Sequence, residues 1–158
     1  MADIVSPAKR SQMMSRIRGK NTKPELVIRK ALFRRGFRYR IHDTRLLGKP
    51  DLVFKKHRAV ILINGCFWHG HNCHLFKWPS SRQDFWKKKI THNQNRDMEN
   101  LKRLKGNGWR VLVVWECAIK GRTRMPLDEV LDEIQMWLVD GELYHEIRGY
   151  EEASRMNL

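Results

Sequence analysis

Negative charge is scarce in this chain, and most of what there is sits at one end. There are 158 residues, with 32 Lys and Arg against 17 Asp and Glu, for a net charge of +15. The first 120 residues carry a net +20 and the remainder a net −5. Long apolar runs are also missing. A pure run such as Ala59 to Ile63 is far too short to span a bilayer. The polar N-terminus has no apolar segment of the secretory kind, so no signal peptide is expected. The three cysteines are an odd number, which argues against a disulfide framework and for a reducing, cytosolic compartment. No internal repeat or low-complexity segment is present. What remains is a globular composition, 41% hydrophobic and 31% charged, with a pI near 10.2. Such a chain suits a polyanionic partner, nucleic acid before an anionic membrane. Segregated charge points to one face meeting phosphate, with the C-terminal element packed away from it.

The pattern of residues predicts alternating helices and buried strands, hence a layered α/β domain. Ser6-Pro7 opens a short basic helix to about Arg18, with Met13, Met14 and Ile17 as its apolar patch. Thr22 caps a second helix with Pro24 and Glu25 in its first turn, and Gly36 ends it. Arg38 to Ile41 alternates like a half-buried strand. Asp51–Phe54 and Arg58–Asn64 read as a hairpin about Lys55-Lys56-His57. Residues 81–105 look helical, capped by Ser80 or Ser81. Arg110 to Cys117 has the continuous apolar character of a strand buried on both faces. Pro126 starts a last helix whose Leu127, Val130, Leu131, Ile134, Trp137 and Leu138 hold core-facing spacing. One domain over 1–158 is expected, with residues 1–20 a basic arm on DNA and 141–158 an acidic, flexible tail.

All three cysteines fall into one candidate metal set. Cys66 and Cys73 lie in an irregular, histidine-rich loop, and Cys117 ends a predicted strand. With one histidine they make four N/S ligands, as structural zinc requires. His71 fits the spacing best, and His69 and His74 compete for the place. The alternative is three buried free thiols. A structural ion would give order to a long loop that otherwise lacks a reason for it.

The same loop holds Phe67 and Trp68, followed by Phe76, Trp78, Phe85 and Trp86 among Lys77 and Lys87-Lys88-Lys89. Aromatics interleaved with lysines suit stacking on bases or wedging between base steps. The alternative is that the rings are core, and Phe85 is expected there.

Each carboxylate among the first 120 residues is informative. Asp51 opens a strand, Glu25 lies in the first turn of a helix, and Asp97 falls on the apolar stripe of the 81–105 helix one turn after Asn93. A buried carboxylate needs a partner, and His69 would serve. Phosphodiester cleavage needs a divalent ion and a base for water. Asp51 for Mg²⁺, Glu25 through water and His69 as base make a sufficient set. Helix-dipole compensation for Glu25, a turn role for Asp51 and a salt bridge for Asp97 are the competing structural readings.

The stretches Pro50-Asp51-Leu52-Val53-Phe54, Asn64 through Cys73, Phe85-Trp86-Lys87-Lys88-Lys89-Ile90, Asn93 with Arg96-Asp97, and Gly108 through Cys117 resemble the very-short-patch-repair mismatch endonucleases. The basic start, Met14 to Ile17 and Asn21 to Glu25, is similar too, so the likeness covers roughly residues 6–140. The resemblance implies a restriction-endonuclease-like core, a mixed central sheet flanked by helices, with a structural zinc loop. It implies nicking 5′ to the thymine of a T·G mismatch left by deaminated 5-methylcytosine. It assigns Mg²⁺ to Asp51 and the backbone carbonyl of Ile63, with Glu25 reaching the ion through water. It makes His69 the base and Asp97 its support. It gives zinc to Cys66, His71, Cys73 and Cys117. It makes Phe67, Trp68 and Trp86 wedges from the major groove, brings Met14 from the minor groove, and sets Lys89 and Asn93 on neighbouring bases. Mismatch-repair factors and a cytosine methylase are the implied helpers of a monomeric, cytoplasmic enzyme with no membrane partner. The second strand carries Ile61-Leu62-Ile63 where the wider nuclease superfamily has Glu-x-Lys, and Asn64 stands where some relatives have histidine. A restriction enzyme and a non-catalytic zinc-stabilised DNA-binding protein are the two competing functions.

Overall fold

The computed structural model describes residues 22–151. The first expected helix, with Met14, lies outside the described residues. The elements in chain order are α1 (Lys23–Arg34), β1 (Arg40–Ile41), β2 (Leu52–Phe54), β3 (Ala59–Asn64), α2 (Gln83–Gly106), β4 (Arg110–Trp115), α3 (Leu127–Asp140) and β5 (Tyr144–Ile147). Short 3₁₀ turns at Lys55–His57 and Glu116–Ala118 follow β2 and β4.

The five strands form one mixed sheet in the order β1-β2-β3-β4-β5. β1, β2 and β3 are antiparallel neighbours, whereas β3, β4 and β5 run parallel. Parallel neighbours need long crossovers, and α2 and α3 supply them. The central strands are buried on both sides, which explains the unbroken apolar runs 59–63 and 111–114. On one face Ile28 and Leu32 of α1 and Val130, Ile134 and Leu138 of α3 pack on Phe54, Ile61 and Leu112. On the other, Leu104 of α2 packs with Leu101 on Val53, Val60, Val111 and Val113. The arrangement is helix, sheet, helix, as the alternation of elements predicts.

Local chemistry sets the element ends. Thr22 caps α1, its hydroxyl accepting from the Glu25 N–H at 3.4 Å. Arg110 on β4 donates to the carbonyls of Trp137 and Leu138, both at 2.8 Å, and so closes the C-terminal end of α3. Arg35 pairs with Asp132 at 2.8 Å, tying α1 to the acidic helix on the face opposite α2. No helix among the described residues is long and apolar enough to cross a membrane.

Three expectations need correction. The α2 N-cap is Arg82 in a left-handed conformation, without a side-chain cap, rather than Ser80 or Ser81. The strand expected from Arg38 begins only at Arg40. Most consequential, Tyr144–Ile147 falls in the stretch expected to be a flexible tail, yet it is strand β5 beside β4. Its sequence, Tyr-His-Glu-Ile, is too polar to announce a strand. Pairing with β4 and burial of Ile147, 1% exposed, decide the matter. Ile147→Ala is therefore expected to cost about 2–5 kcal/mol in urea unfolding. Met136→Ala, on an exposed face of α3, should stay within about 0.5 kcal/mol.

Candidate active site and metal centre

The parallel register places Asn64 beside Trp115. The chain leaves both strands there, so Cys66 and Cys117 emerge as neighbours. The loop after Cys66 turns back to bring in His71 and Cys73. The ligand atoms of these four residues lie within 4.8 Å of one another. Cys66 Sγ is 3.5 Å and Cys117 Sγ 3.7 Å from His71 Nδ1. A tetrahedron with zinc–sulfur and zinc–nitrogen bonds of ordinary length has an S···N edge of about 3.6 Å, so the set fits such an ion. The Cys66 thiol donates to Cys117, which holds the Cys66 proton on and stabilises Cys117 as thiolate. His71 and the Gly149 N–H reinforce that thiolate. The His71 ring stacks on Trp115 at 3.9 Å, nearly parallel, which fixes its orientation. Of the three competing histidines, His71 is the one the structure brings to the cysteines: His74 instead meets the Thr123 hydroxyl at 3.3 Å, and His69 faces Asp97.

His69 Nδ1 is hydrogen-bonded to Asp97 Oδ2 on α2. With Nδ1–H given to the carboxylate, Nε2 is the nitrogen carrying the lone pair. Gly70 permits this arrangement. Its φ is +61°, and a Cβ there would come within 2.7 Å of Ile90 Cγ2. Asn93 Nδ2 donates to the Trp68 carbonyl at 2.9 Å, and Gln94 reaches the carbonyls of His69 and Gly70 at 3.3 Å. The loop is thus pinned to α2 through three consecutive carbonyls.

Asp51 sits just before β2 and accepts the Ile63 N–H at 2.7 Å. Continuing the β2–β3 register would set Pro50 opposite Ile63. Proline has no N–H, so the ladder offers no donor to the Ile63 carbonyl. In a strand a residue's N–H and C=O face the same neighbour, so that carbonyl points to the Asp51 side. Asp51, Ile63, His69 and Asp97 line one cleft of about 660 Å³, rimmed by Lys49 and Arg96.

Glu25 on α1 is 1% exposed and approaches Asp51 from the other helix layer. Burial first, then the facing Glu25 carboxylate, push Asp51 up to about 7 despite the Ile63 N–H. Two carboxylates facing each other, Glu25 buried and Asp51 partly so, suit an oxygen-liking divalent cation. The sequence reading missed the third member of this group. His42 Nε2 lies 2.8 Å from Glu25 Oε2, and the ligand atoms of Glu25, His42 and Asp51 lie within 4.8 Å of one another. No spacing in the sequence marks it, since it follows a two-residue edge strand.

The aromatics pack mainly on each other. Phe67 meets Trp68 at 5.2 Å and Trp86 at 5.3 Å, and Trp68 meets Trp86 at 5.8 Å. Phe67 and Trp68 are half-buried and Trp86 is 9% exposed. Phe85, expected in the core, is 44% exposed with the Arg82 guanidinium over its ring, because α2 turns Trp86 inward at that point. Lys89 is exposed and Asn93 buried.

Two outcomes follow from this geometry. Purified protein should carry stoichiometric zinc by elemental analysis. Cys117→Ser should lose it and melt roughly 10 °C lower, as expected for a metal site worth several kcal/mol. Asp51 gives a pH signature. Between its ordinary value of 3.8 and about 7, the folded chain keeps a proton that the unfolded chain has released. Stability contributed by this group therefore falls as pH rises through that window. Without added magnesium, Asp51→Asn should melt above the wild type at pH 8, and the difference should vanish near pH 4.

Residues 2–75 match the family model described as DNA mismatch endonuclease Vsr. The chain is 41% identical to the DNA mismatch endonuclease Vsr of Escherichia coli over 138 residues, 87% of this chain and 88% of that protein. It is 47% identical to the type II nicking enzyme V.NmeAIP of Neisseria meningitidis over 137 residues, 85% of this chain and 98% of that protein. A type II nicking enzyme of Xanthomonas oryzae, V.XorIIP, is 42% identical over 84% of this chain and 98% of its own length. With this degree of identity over nearly the whole length of its relatives, the chain belongs to the Vsr family of DNA mismatch endonucleases.

Proposed function

We propose that the protein nicks double-stranded DNA 5′ to the thymine of a T·G mismatch left by deamination of 5-methylcytosine, and so starts very short patch repair. The observation that carries this reading is the cleft shared by Asp51, Ile63, His69 and Asp97 beside a basic helix. The names of the relatives support both the mismatch and the nicking, since one is a DNA mismatch endonuclease and others are nicking enzymes. The mixed sheet with its site at the end of a hairpin is in keeping with a restriction-endonuclease-like core.

Asp51 and the Ile63 carbonyl would hold Mg²⁺, with Glu25 contributing through water. The ion would screen the phosphate and make water easier to deprotonate. His69 Nε2 then takes the proton of the attacking water, while Asp97 holds the ring and stabilises the imidazolium. Zinc in the Cys66, His71, Cys73 and Cys117 set would be structural, since four protein ligands leave no open position. Phe67, Trp68 and Trp86 would enter the stack at the mismatch. Trp86 is covered in the free protein, so it would reach DNA by displacing the rings now packed on it. Lys89 is placed to meet the duplex. Asn93 would act on neighbouring bases only through the loop it holds, or by exchanging its bond to Trp68. Met14 and the basic arm of residues 1–20 would contact the minor groove. A single-domain monomer in the cytoplasm, acting alongside mismatch-repair factors and a cytosine methylase, completes the proposal.

The test is a panel of labelled duplexes carrying T·G, other mismatches or full pairing, with Mg²⁺. Nicking confined to T·G, and lost in Asp51→Ala, is expected. Equal cleavage of the paired duplex would instead point to a restriction-type enzyme. Tight binding without cleavage by the wild type would point to a pure DNA-binding protein. His69→Ala should lower kcat by about 10²–10⁴-fold while duplex binding changes little.

A further inference from the structure

We propose that His42 is a positioning residue that, together with Arg29, aims the Glu25 carboxylate at the cation site. This rests on reading Asp51 and Glu25 as the place where a divalent ion binds. Glu25 is 1% exposed, and a carboxylate so buried needs fixed donors. Arg29 Nη1 reaches Glu25 Oε2 at 2.6 Å and His42 Nε2 reaches the same oxygen at 2.8 Å. Two donors converging on Oε2 fix the rotation of the carboxylate, and with it the direction of Oε1. Arg29 is one helical turn from Glu25 on the same helix, so it holds the carboxylate relative to α1.

His42 does something Arg29 cannot, because it directly follows β1 and is tied to the backbone that leads into β2. Its backbone N–H donates to the Asp51 carbonyl at 3.2 Å. One residue therefore binds the backbone of the first carboxylate and the side chain of the second, and so helps to set the distance between them. His42 adopts φ +49°, in the left-handed region. A side chain accepts that conformation at a cost, and such residues persist where their surroundings demand them, often at functional sites. Direct ligation by His42 is the competing geometry, since all three ligand atoms lie within 4.8 Å. The short contact to an oxygen already held by Arg29 favours the hydrogen bond.

The test uses His42→Gly and His42→Gln in the full chain. Glycine relieves the left-handed backbone but removes one donor from buried Glu25, so with no Mg²⁺ added this variant should unfold within a few degrees of the wild type. Its midpoint for Mg²⁺-induced thermal stabilisation should nonetheless rise about tenfold, the scale of one hydrogen bond to a charged group. On a T·G duplex its kcat should fall about tenfold with KM unchanged. His42→Gln keeps an N–H at similar reach and should restore both readouts to within about threefold. A wild-type Mg²⁺ midpoint in His42→Gly would overturn the proposal. So would His42→Gln that fails to rescue and loses a preference of the wild type for Mn²⁺ over Mg²⁺, which would mark His42 as a ligand. Ion binding without T·G nicking would remove the proposed substrate but leave His42 judged by the midpoint alone. A wild-type protein that takes up neither ion would overturn both readings.

Discussion

Two carboxylates, Glu25 and Asp51, face each other beneath the surface of a strongly basic protein. Everything around them serves to make that arrangement tolerable. Repulsion is met by Arg29 and His42 on Glu25 and by the Ile63 N–H on Asp51. Burial first, and then the repulsion that is left, keep the Asp51 proton on up to about 7. A pair in this state suits a small cation, which would relieve the repulsion between the two carboxylates. The sheet is built to keep the pair where it is. The hairpin ends its pairing at Leu52 and Ile61, and Pro50 ensures that the ladder goes no further.

The second dependence is on the loop between Cys66 and His71. Those two residues belong to the Cys/His cluster, and the three between them proposed to carry functional chemistry are Phe67, Trp68 and His69. Residues proposed to sense the mismatch and the residue proposed to activate water therefore share one short clamp. Its ends are drawn to Cys117 by the cluster, while its middle is tied to α2 by Asn93 and Gln94. Displacement at the rings cannot leave His69 unaffected, because only one peptide unit separates Trp68 from His69. This offers a physical route from mismatch to chemistry without a large motion.

How much of this could be read from the chain depends on whether a feature is local. The hairpin at 52–64, the strand at 110–115 and the last helix rest on patterns of five to fourteen residues and were legible. The metal set was legible because cysteine is rare here and all three residues converge. Asp51, His69 and Asp97 were found as chemistry-bearing residues in unlikely places, and the structure does bring them to one cleft. β5 was not legible, because Tyr144–Ile147 becomes a strand only through the edge that β4 presents. His42 was invisible for the same reason: its role is a contact between elements, not a property of its neighbours. Phe85 and Trp86 show the limit at its sharpest. Either could have been the buried member of the pair, and the helix phase chose Trp86.

The uneven charge takes on a definite meaning in this framework. The acidic segment forms α3 and its flanks, and α3 lies across the sheet from the basic helix α2. Asp128 and Asp132 engage Arg35, so part of the negative charge neutralises α1 rather than facing solvent alone. The positive field is thereby concentrated on the α2 side, where Lys87, Lys88 and Lys89 are exposed beside the aromatic cluster. A field of this kind draws phosphate without reading sequence, and its pull weakens as counterions compete. Under the proposed function, specificity would then come from the uncharged rings among the lysines, and cutting from the few carboxylates the field surrounds.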